Sequence, residues 1–249
     1  MNILLTGASR GIGEAAYDAL TAAGHQVAGH STRGGDGLLG GDLAAPAAPR
    51  ALWEAAVEQF GGRIDVLVNN AGVYEAVADD AEDGEWLAAW ERTMRINLTA
   101  SSDLSRLAIG HFRANGGGRI VNVSSRAGYR GDSPQHWHYA ASKAALIAVT
   151  KTIARGHAAE GVYAWGVAPG FTVTEMTEEY LASRGGEKVL ASEKRFSIAG
   201  LLSAMQSASL RKFLFPRSLL ISAVRETRPS PPPGSPRSYA HSRLSVFHS

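Results

Sequence analysis

Tyr139 and Lys143 stand four residues apart in the run YAASK. On a helix that spacing puts a phenol and an ammonium on one face. A free tyrosine has a pKa of about 10, too high for acid–base work near neutrality, and a neighbouring ammonium favours the ionised phenol. The pair is therefore a candidate for moving a proton to or from an oxygen atom. Two unrelated surface residues can have the same spacing, so the pair needs support from elsewhere in the chain.

A second candidate is Gly7-Ala-Ser9-Arg10-Gly11-Ile12-Gly13. Glycines there permit a tight turn, let backbone amides approach a phosphate and allow close helix packing, and a helix starting at that point adds a positive dipole. The bland alternative is an ordinary glycine-rich turn. The same residues match GxSxG, with Ser9 as a hydrolase nucleophile. That elbow belongs on a strand inside a sheet, with an oxyanion amide from an earlier strand–helix loop, and the sequence reads no strand ahead of this one. His136, Trp137 and His138 lack the HExxH spacing of a metal site. They read as an aromatic loop lining a substrate, and no metal is expected. Trp86 and Trp90, at i and i+4, read as a packed helix face.

Residues 2–6 (NILLT) predict a strand that runs into the glycine loop, and the alanine-rich stretch 14–23 predicts the helix after it. Strands are expected at 25–31, 64–68, 119–123 and 162–167, with helices at 52–60, 86–112 and 139–159. Strands and helices alternate throughout. Such alternation requires right-handed crossovers and a parallel sheet covered on both faces, a doubly wound, three-layer α/β/α fold. The glycine loop follows the first strand and opens the first helix, as a diphosphate cradle requires.

In such a fold an NAD-binding chain offers a carboxylate to the ribose at the end of the second strand. Here that place reads His30-Ser31-Thr32-Arg33, without an acid. Arg10 in the loop and Arg33 beyond the strand can both pair with a 2′-phosphate, which favours NADP over NAD. Asp42, followed by Leu43, can accept a hydrogen bond from an adenine amino group, or simply cap a turn. The stretch 33–41 is short and glycine-rich, so any helix within it is vestigial.

The 249 residues are 45% hydrophobic, enough for a sizeable core in one domain. There is no cysteine, which excludes disulfides and a thiol nucleophile. No apolar run is long enough for a bilayer and the glycine loop begins at once, so no membrane contact and a cytoplasmic location are expected. The net charge of +2 hides an asymmetry. Residues 1–194 hold 17 Lys and Arg against 22 Asp and Glu, and residues 195–249 hold 8 against 1. The basic residues of the tail are scattered among Ser and Pro without a helical stripe, so no nucleic-acid partner is expected.

Six motifs fall in one order: TGASRGIG at 6–13, NNAG at 69–72, Asn97 in INLTA, NVSS at 122–125, YAASK at 139–143 and PGFTVT at 169–174. In this order the chain resembles the short-chain dehydrogenase/reductases over about residues 1–178. The resemblance implies a Rossmann-like domain and an NADP(H)-dependent oxidoreductase acting on a small ketone or secondary alcohol. It implies that Tyr139 exchanges a proton with the substrate oxygen, that Lys143 tunes Tyr139 and binds ribose, and that Ser125 hydrogen-bonds the substrate oxygen, with Ser124 as the alternative. Asn97 matches the asparagine that holds a water linked to Lys143. Asn69, Asn70, Ala71 and Gly72 close the cleft around the adenine ribose. Pro169, Gly170, Thr172 and Thr174 match the loop that contacts the nicotinamide amide and the diphosphate. The helices near Asn97 and Tyr139 match the family's four-helix dimer contact, so a homodimer is expected.

The resemblance stops short of the carboxyl end. Residues 195–249 hold 6 of the 10 prolines and no VNGG-like final strand. They are expected to form an irregular, poorly ordered tail beyond a catalytic domain at 1–194, with the composition of a GC-rich gene read in a shifted frame. Without the last edge strand and the packing surface it supplies, a tetramer is not expected. A non-catalytic dinucleotide-binding or regulatory protein is the rival reading.

Overall fold

The computed structural model describes residues 1–169 and 220–222. Gly170, Thr172 and Thr174 lie outside these residues, as does nearly all of the tail.

Seven parallel strands form one sheet in the order β3-β2-β1-β4-β5-β6-β7. They are β1 (Asn2–Leu5), β2 (Gln26–Ser31), β3 (Leu39–Gly40), β4 (Val66–Asn69), β5 (Gly118–Val123), β6 (Val162–Ala168) and β7 (Leu220–Ser222). The helices are α1 (Gly11–Ala22), α2 (Ala48–Gln59), α3 (Asp83–Met94), α4 (Ala100–Ala114), α5 (Ala127–Arg130) and α6 (Trp137–His157). The register places Leu4 beside both Ala28 and Leu67, and Leu67 beside Ile120.

Side chains alternate across the central strands with period two, and both faces are buried. Leu4, Leu67 and Ile120 pack with Leu52, Trp53, Leu104, Phe112 and Ile153 of α2, α4 and α6. Ile3, Leu5, Val66, Val68, Val121 and Val123 point the other way, towards Ala16 and Leu20 of α1. Burial on both sides explains why these strands read as apolar runs rather than alternating ones.

Because β1 continues outward to β2 while β4 lies on its other side, the order reverses between them. A crevice opens at such a switch point, outside the carboxyl ends of the strands. The loops after β1, β2, β4 and β5 all end there. No helix among the described residues is long and apolar enough to cross a membrane.

Three features depart from the sequence reading. Residues 33–41 hold no helix. Leu39–Gly40 instead adds β3 to the edge of β2, after a turn in which Gly34, Gly35, Asp36 and Gly37 all have positive φ. The helical stretch predicted at 86–112 begins at Asp83, and a π-helical turn, Arg95–Thr99, joins α3 to α4. The expectation that the sheet lacks its last edge strand is corrected, since Leu220–Ser222 pairs in parallel with β6, Gly166 opposite Leu220. Edge pairing requires only three residues of extended backbone with free donors and acceptors, and the Leu-Leu-Ile run at 219–221 is apolar and suited to a strand.

Candidate active site

The loop after β1 is held open by tight backbone packing. Gly7 has φ +68°, and a Cβ on it would stand 2.8 Å from the Ala71 Cα. A Cβ on Gly13 would lie 1.8 Å from the Gly7 carbonyl oxygen, so α1 approaches the loop only because residue 13 has no side chain. The NNAG turn after β4 secures this arrangement. Asn70 Nδ2 donates to Thr6 O and Gly7 O at 3.1 and 3.0 Å, and Thr6 Oγ1 accepts from the amides of Asn70 and Ala71, both at 3.0 Å.

His30 joins this loop to the turn after β3. Its Nδ1 accepts from the Gly7 amide at 3.3 Å, which leaves Nε2 to donate to Gly41 O at 2.8 Å. Both ring nitrogens are used by a neutral imidazole, and burial lowers its pKa. The bond to Gly41 fixes the position of the next residue, Asp42. Asp42 is exposed and its Oδ1 accepts from the Ala44 amide at 2.9 Å, the turn-capping alternative of the sequence reading. Leu43 turns inward, 5% exposed. Ser31 Oγ accepts from the Gly34 amide at 3.0 Å and starts the turn that carries Arg33.

Asn69 anchors the floor of the crevice. Its Nδ2 donates to Ser101 O, Ser105 Oγ and Asn122 Oδ1, and Asn122 Nδ2 donates to Thr150 Oγ1 at 2.8 Å. This buried polar chain ties β4 and β5 to α4 and α6.

Asn97 sits on the π-helical turn and is fully buried. An extra residue in a helical turn frees backbone groups and re-aims side chains, and such turns recur at functional sites. Its Oδ1 accepts from the Val73 amide at 2.8 Å, and its Nδ2 donates to Val73 O at 3.0 Å and Ser142 Oγ at 3.2 Å. Ser142 in turn donates to Tyr139 O at 2.7 Å. A methyl group on Gly72 would come within 3.2 Å of Asn97 Oδ1 and 3.4 Å of Lys143 Nζ. Asn97, Gly72 and Lys143 thus meet in one place.

Tyr139 and Lys143 share the first turns of α6, with Lys143 Nζ 5.7 Å from the centre of the phenol ring. Lys143 is 4% exposed and donates to Val123 O at 3.0 Å. Burial pulls its pKa down to about 8. The Tyr139 pKa is pushed up to about 12, chiefly by burial, while a hydrogen bond with Ser125 pulls it down and the Asp132 carboxylate pushes it up. Desolvation disfavours the charged form of each group.

The two serines after β5 separate clearly. Ser124 is buried and its Oγ donates to Lys143 O at 2.8 Å, so that hydroxyl is committed to the backbone of α6. Ser125 is half-buried, bonds the Tyr139 phenol, and its Oγ accepts from the Ala127 amide at 3.1 Å.

One continuous cleft of about 750 Å³ holds these parts. Gly7, Ser9, Arg10, Gly11, Ile12 and Gly13 line it, with Arg33, Asp42 and Leu43 at the β2 end. Asn70, Ala71 and Gly72 line its middle, and Ser124, Ser125, Tyr139, Lys143 and Pro169 its β5 end. Asn97 is not on the surface of the cleft but directly behind Gly72. The aromatic loop expected at 136–138 does not line it. His136 is buried beneath Tyr74, stacked at 3.8 Å with the rings 5° from parallel, and His138 is buried against Trp90. Tyr74 faces the cleft instead, edge-on to Tyr139 at 4.7 Å, its hydroxyl bonded to Asp132 at 3.1 Å. Trp86 and Trp90 pack together and Trp86 packs on Trp137, the helix-face arrangement expected. Sequence reasoning missed Thr6, His30, Tyr74 and Ser142. Of these only His30, a polar residue in the buried half of a strand, carried a visible signal.

A family model described as short chain dehydrogenase matches residues 1–185. The 3-oxoacyl-(acyl-carrier-protein) reductase of Vibrio cholerae is 36% identical over 187 residues, 70% of this chain and 75% of that protein. The short-chain reductase protein NovJ of Streptomyces niveus is 36% identical over 201 residues, 74% of each chain. Among solved structures, a Beutenbergia cavernae protein assigned as an NAD(P)-dependent gluconate 5-dehydrogenase, with bound NADP at low occupancy, superposes with a TM-score of 0.73 at 26% identity, covering 88% of this chain and 93% of that one. With its parallel sheet, its glycine loop and its YxxxK helix, the chain belongs to the short-chain dehydrogenase family of oxidoreductases.

Proposed function

We propose that the chain interconverts a ketone and a secondary alcohol with NADP(H), and that Tyr139 is its general acid and base. The observation that carries this reading is the convergence of Ser125, Tyr139 and Lys143 at one end of a single cleft whose other end holds Arg10 and Arg33. A dinucleotide fits the residues present. The cleft passes Gly7, Gly13, Ala71 and Gly72, where small or absent side chains leave backbone exposed to an extended ligand.

Bound NADPH supplies the hydride that forms the new C–H bond at the carbonyl carbon. The proton for the new O–H bond comes from Tyr139, whose pKa of about 12 keeps it protonated, the state a general acid requires. Ser125 holds the substrate oxygen beside that phenol. Lys143, fixed by Val123 O, serves the nicotinamide ribose and offsets charge left on the phenolate. Asn97 and Lys143 meet across Gly72, where a water can return the proton from solvent. Arg10 and Arg33 serve the 2′-phosphate, Asp42 and Leu43 the adenine, and Asn70, Ala71 and Gly72 the adenine ribose. Ser9, Gly11 and Ile12 belong to the diphosphate cradle, and Pro169, Gly170, Thr172 and Thr174 remain the proposed nicotinamide loop. One relative is named a 3-oxoacyl-(acyl-carrier-protein) reductase and one solved structure a gluconate 5-dehydrogenase, and a carbonyl or alcohol substrate here is consistent with both.

Fluorescence titration with NADPH and NADH, joined to turnover on a carbonyl panel, tests the reading. NADPH is expected to bind more tightly, and Arg10→Ala with Arg33→Ala should weaken it at least about tenfold more than NADH, the worth of one or two charge-assisted bonds. Equal losses would overturn the NADP assignment. Failure to bind either nucleotide would overturn the whole reading, and tight binding without turnover would leave a non-catalytic dinucleotide-binding protein.

A further inference from the structure

His30 holds two walls of the cleft at once. Its backbone carbonyl accepts from the Ala8 amide at 2.7 Å and its ring Nδ1 from the Gly7 amide at 3.3 Å, so two successive amides of the glycine loop are tied to one residue. On the other side Nε2 donates to Gly41 O at 2.8 Å, while the Gly41 amide donates to Ser31 O at 3.2 Å. Gly41 leads directly into Asp42 and Leu43, which line the β2 end of the cleft. The ring is 2% exposed, and an aliphatic side chain at this position could make neither ring bond. The bridge works in one protonation state only. A neutral imidazole has one donor and one acceptor, and Gly7 brings a donor where Gly41 brings an acceptor, so a second proton would set N–H against N–H at Gly7. The titratable groups on the surrounding elements are Arg10 in the β1 loop, Tyr17 on α1, Arg33 and Asp36 in the β2–β3 turn, Asp42 after β3, and the exposed Arg50–Glu54 pair on α2. Among the described residues none of them is a hydrogen-bond partner of the ring, which is used up by Gly7 and Gly41. Burial lowers the pKa of His30 from the usual 6.5, with the bond to Gly41 opposing it.

Resting on the nucleotide-binding reading above, we infer that His30 is a positioning residue for the cofactor: its neutral ring sets the spacing between the diphosphate cradle and the adenine wall, and nucleotide affinity falls when the ring takes up a second proton. His30 differs in this from Arg10 and Arg33. A 2′-phosphate contact concerns NADP alone, whereas a bridge between two stretches of backbone concerns NADP and NAD alike. Nucleotide binding in turn favours the neutral ring, because the two are linked through one equilibrium.

The test is calorimetric titration of the full chain with NADP+ and NAD+ from about pH 8 down to about pH 5.5, the range in which a histidine titrates. Affinity for both should fall by about tenfold or more, the cost of leaving a buried donor without an acceptor. NAD+ is the cleaner probe, since it lacks a 2′-phosphate, a group whose own second proton leaves near pH about 6. His30→Asn keeps an acceptor for Gly7 that does not titrate, so its NAD+ profile should be flat. His30→Phe keeps a ring but neither bond, and should weaken both nucleotides at least about tenfold at about pH 8. Because His30→Phe can misfold, circular dichroism accompanies each titration, and the imidazole resonances of wild-type His30 in NMR give a readout that needs no variant: NAD+ should move their titration to lower pH. A flat wild-type NAD+ profile, or a profile that His30→Asn retains, would overturn the inference and leave nucleotide binding intact. Affinity for NAD+ that rises in acid would do the same, since it would mean that a charged ring attracts the diphosphate. Binding of neither nucleotide at any pH would overturn the reading beneath the inference and the inference with it.

Discussion

Lys143 is the residue at which chemistry and stability conflict most. Its cation is buried with one backbone carbonyl as partner, and its pKa drops from 10.5 to about 8. Between those values the unfolded chain binds the proton and the folded chain does not, so the contribution of Lys143 to stability rises with pH across that window and is least favourable below pH 8. Lys143→Met should therefore melt higher than wild type at pH 7, lose turnover, and see its thermal advantage shrink as pH rises from 8 to 10.5. An equal or lower melting temperature at pH 7 would show that the burial cost is met by some other contact. Tyr139 behaves oppositely, because its raised pKa favours folding up to about pH 10 and that contribution fades above it. The serine pair gives a second residue-scale prediction. Ser125→Ala should cut kcat at least about a hundredfold, the usual worth of a donor aimed at a reacting oxygen, whereas Ser124→Ala should act mainly on stability, since its hydroxyl already serves Lys143 O. The reverse result in steady-state kinetics would exchange their roles.

The elements position these groups through side chains that never touch a ligand. Asn122 bridges Asn69 and Thr150 in the dry interior, and Asn122→Ala should cost about 2–3 kcal/mol in urea unfolding, two buried hydrogen bonds and their stranded partners. A cost near zero would mean that the chain of amides is dispensable. Gly13→Ala drives a methyl group into Gly7 O, so circular dichroism should keep its α/β signature while NADPH titration loses its signal. Much of this was legible in the sequence. Every strand placed from an apolar run and the helix that carries Tyr139 and Lys143 are present within a few residues, because burial on both faces and i, i+4 spacing leave local signatures. The illegible parts depend on contacts across the fold. The π-helical turn under Asn97 has no local code, β3 and β7 are two- and three-residue strands defined only by their neighbours, and His30 owes its role to Gly7 and Gly41, 23 and 11 residues away. Tyr74 was missed because nothing in VYEA foretells that it stacks on His136.

At the scale of the whole molecule, the cleft works only as a unit, its β2 end suited to a phosphate and its β5 end to a reacting oxygen. α6 turns its reactive residues inward, while Ala144 and Ala148 stand exposed on its outer side, small enough for another helix to approach closely. A homodimer in light scattering is expected, and Ala148→Arg should give a monomer. A wild-type monomer at micromolar concentration would refute that expectation without touching the chemistry. The chemistry is tested most directly by following NADPH absorbance with a carbonyl substrate that turns over, in wild type and in Tyr139→Phe. The predicted result is oxidation of NADPH by the wild type and a fall of at least about a hundredfold in kcat for Tyr139→Phe, the usual worth of a positioned general acid, with NADPH affinity retained. Turnover by Tyr139→Phe within a few-fold of wild type would contradict the account.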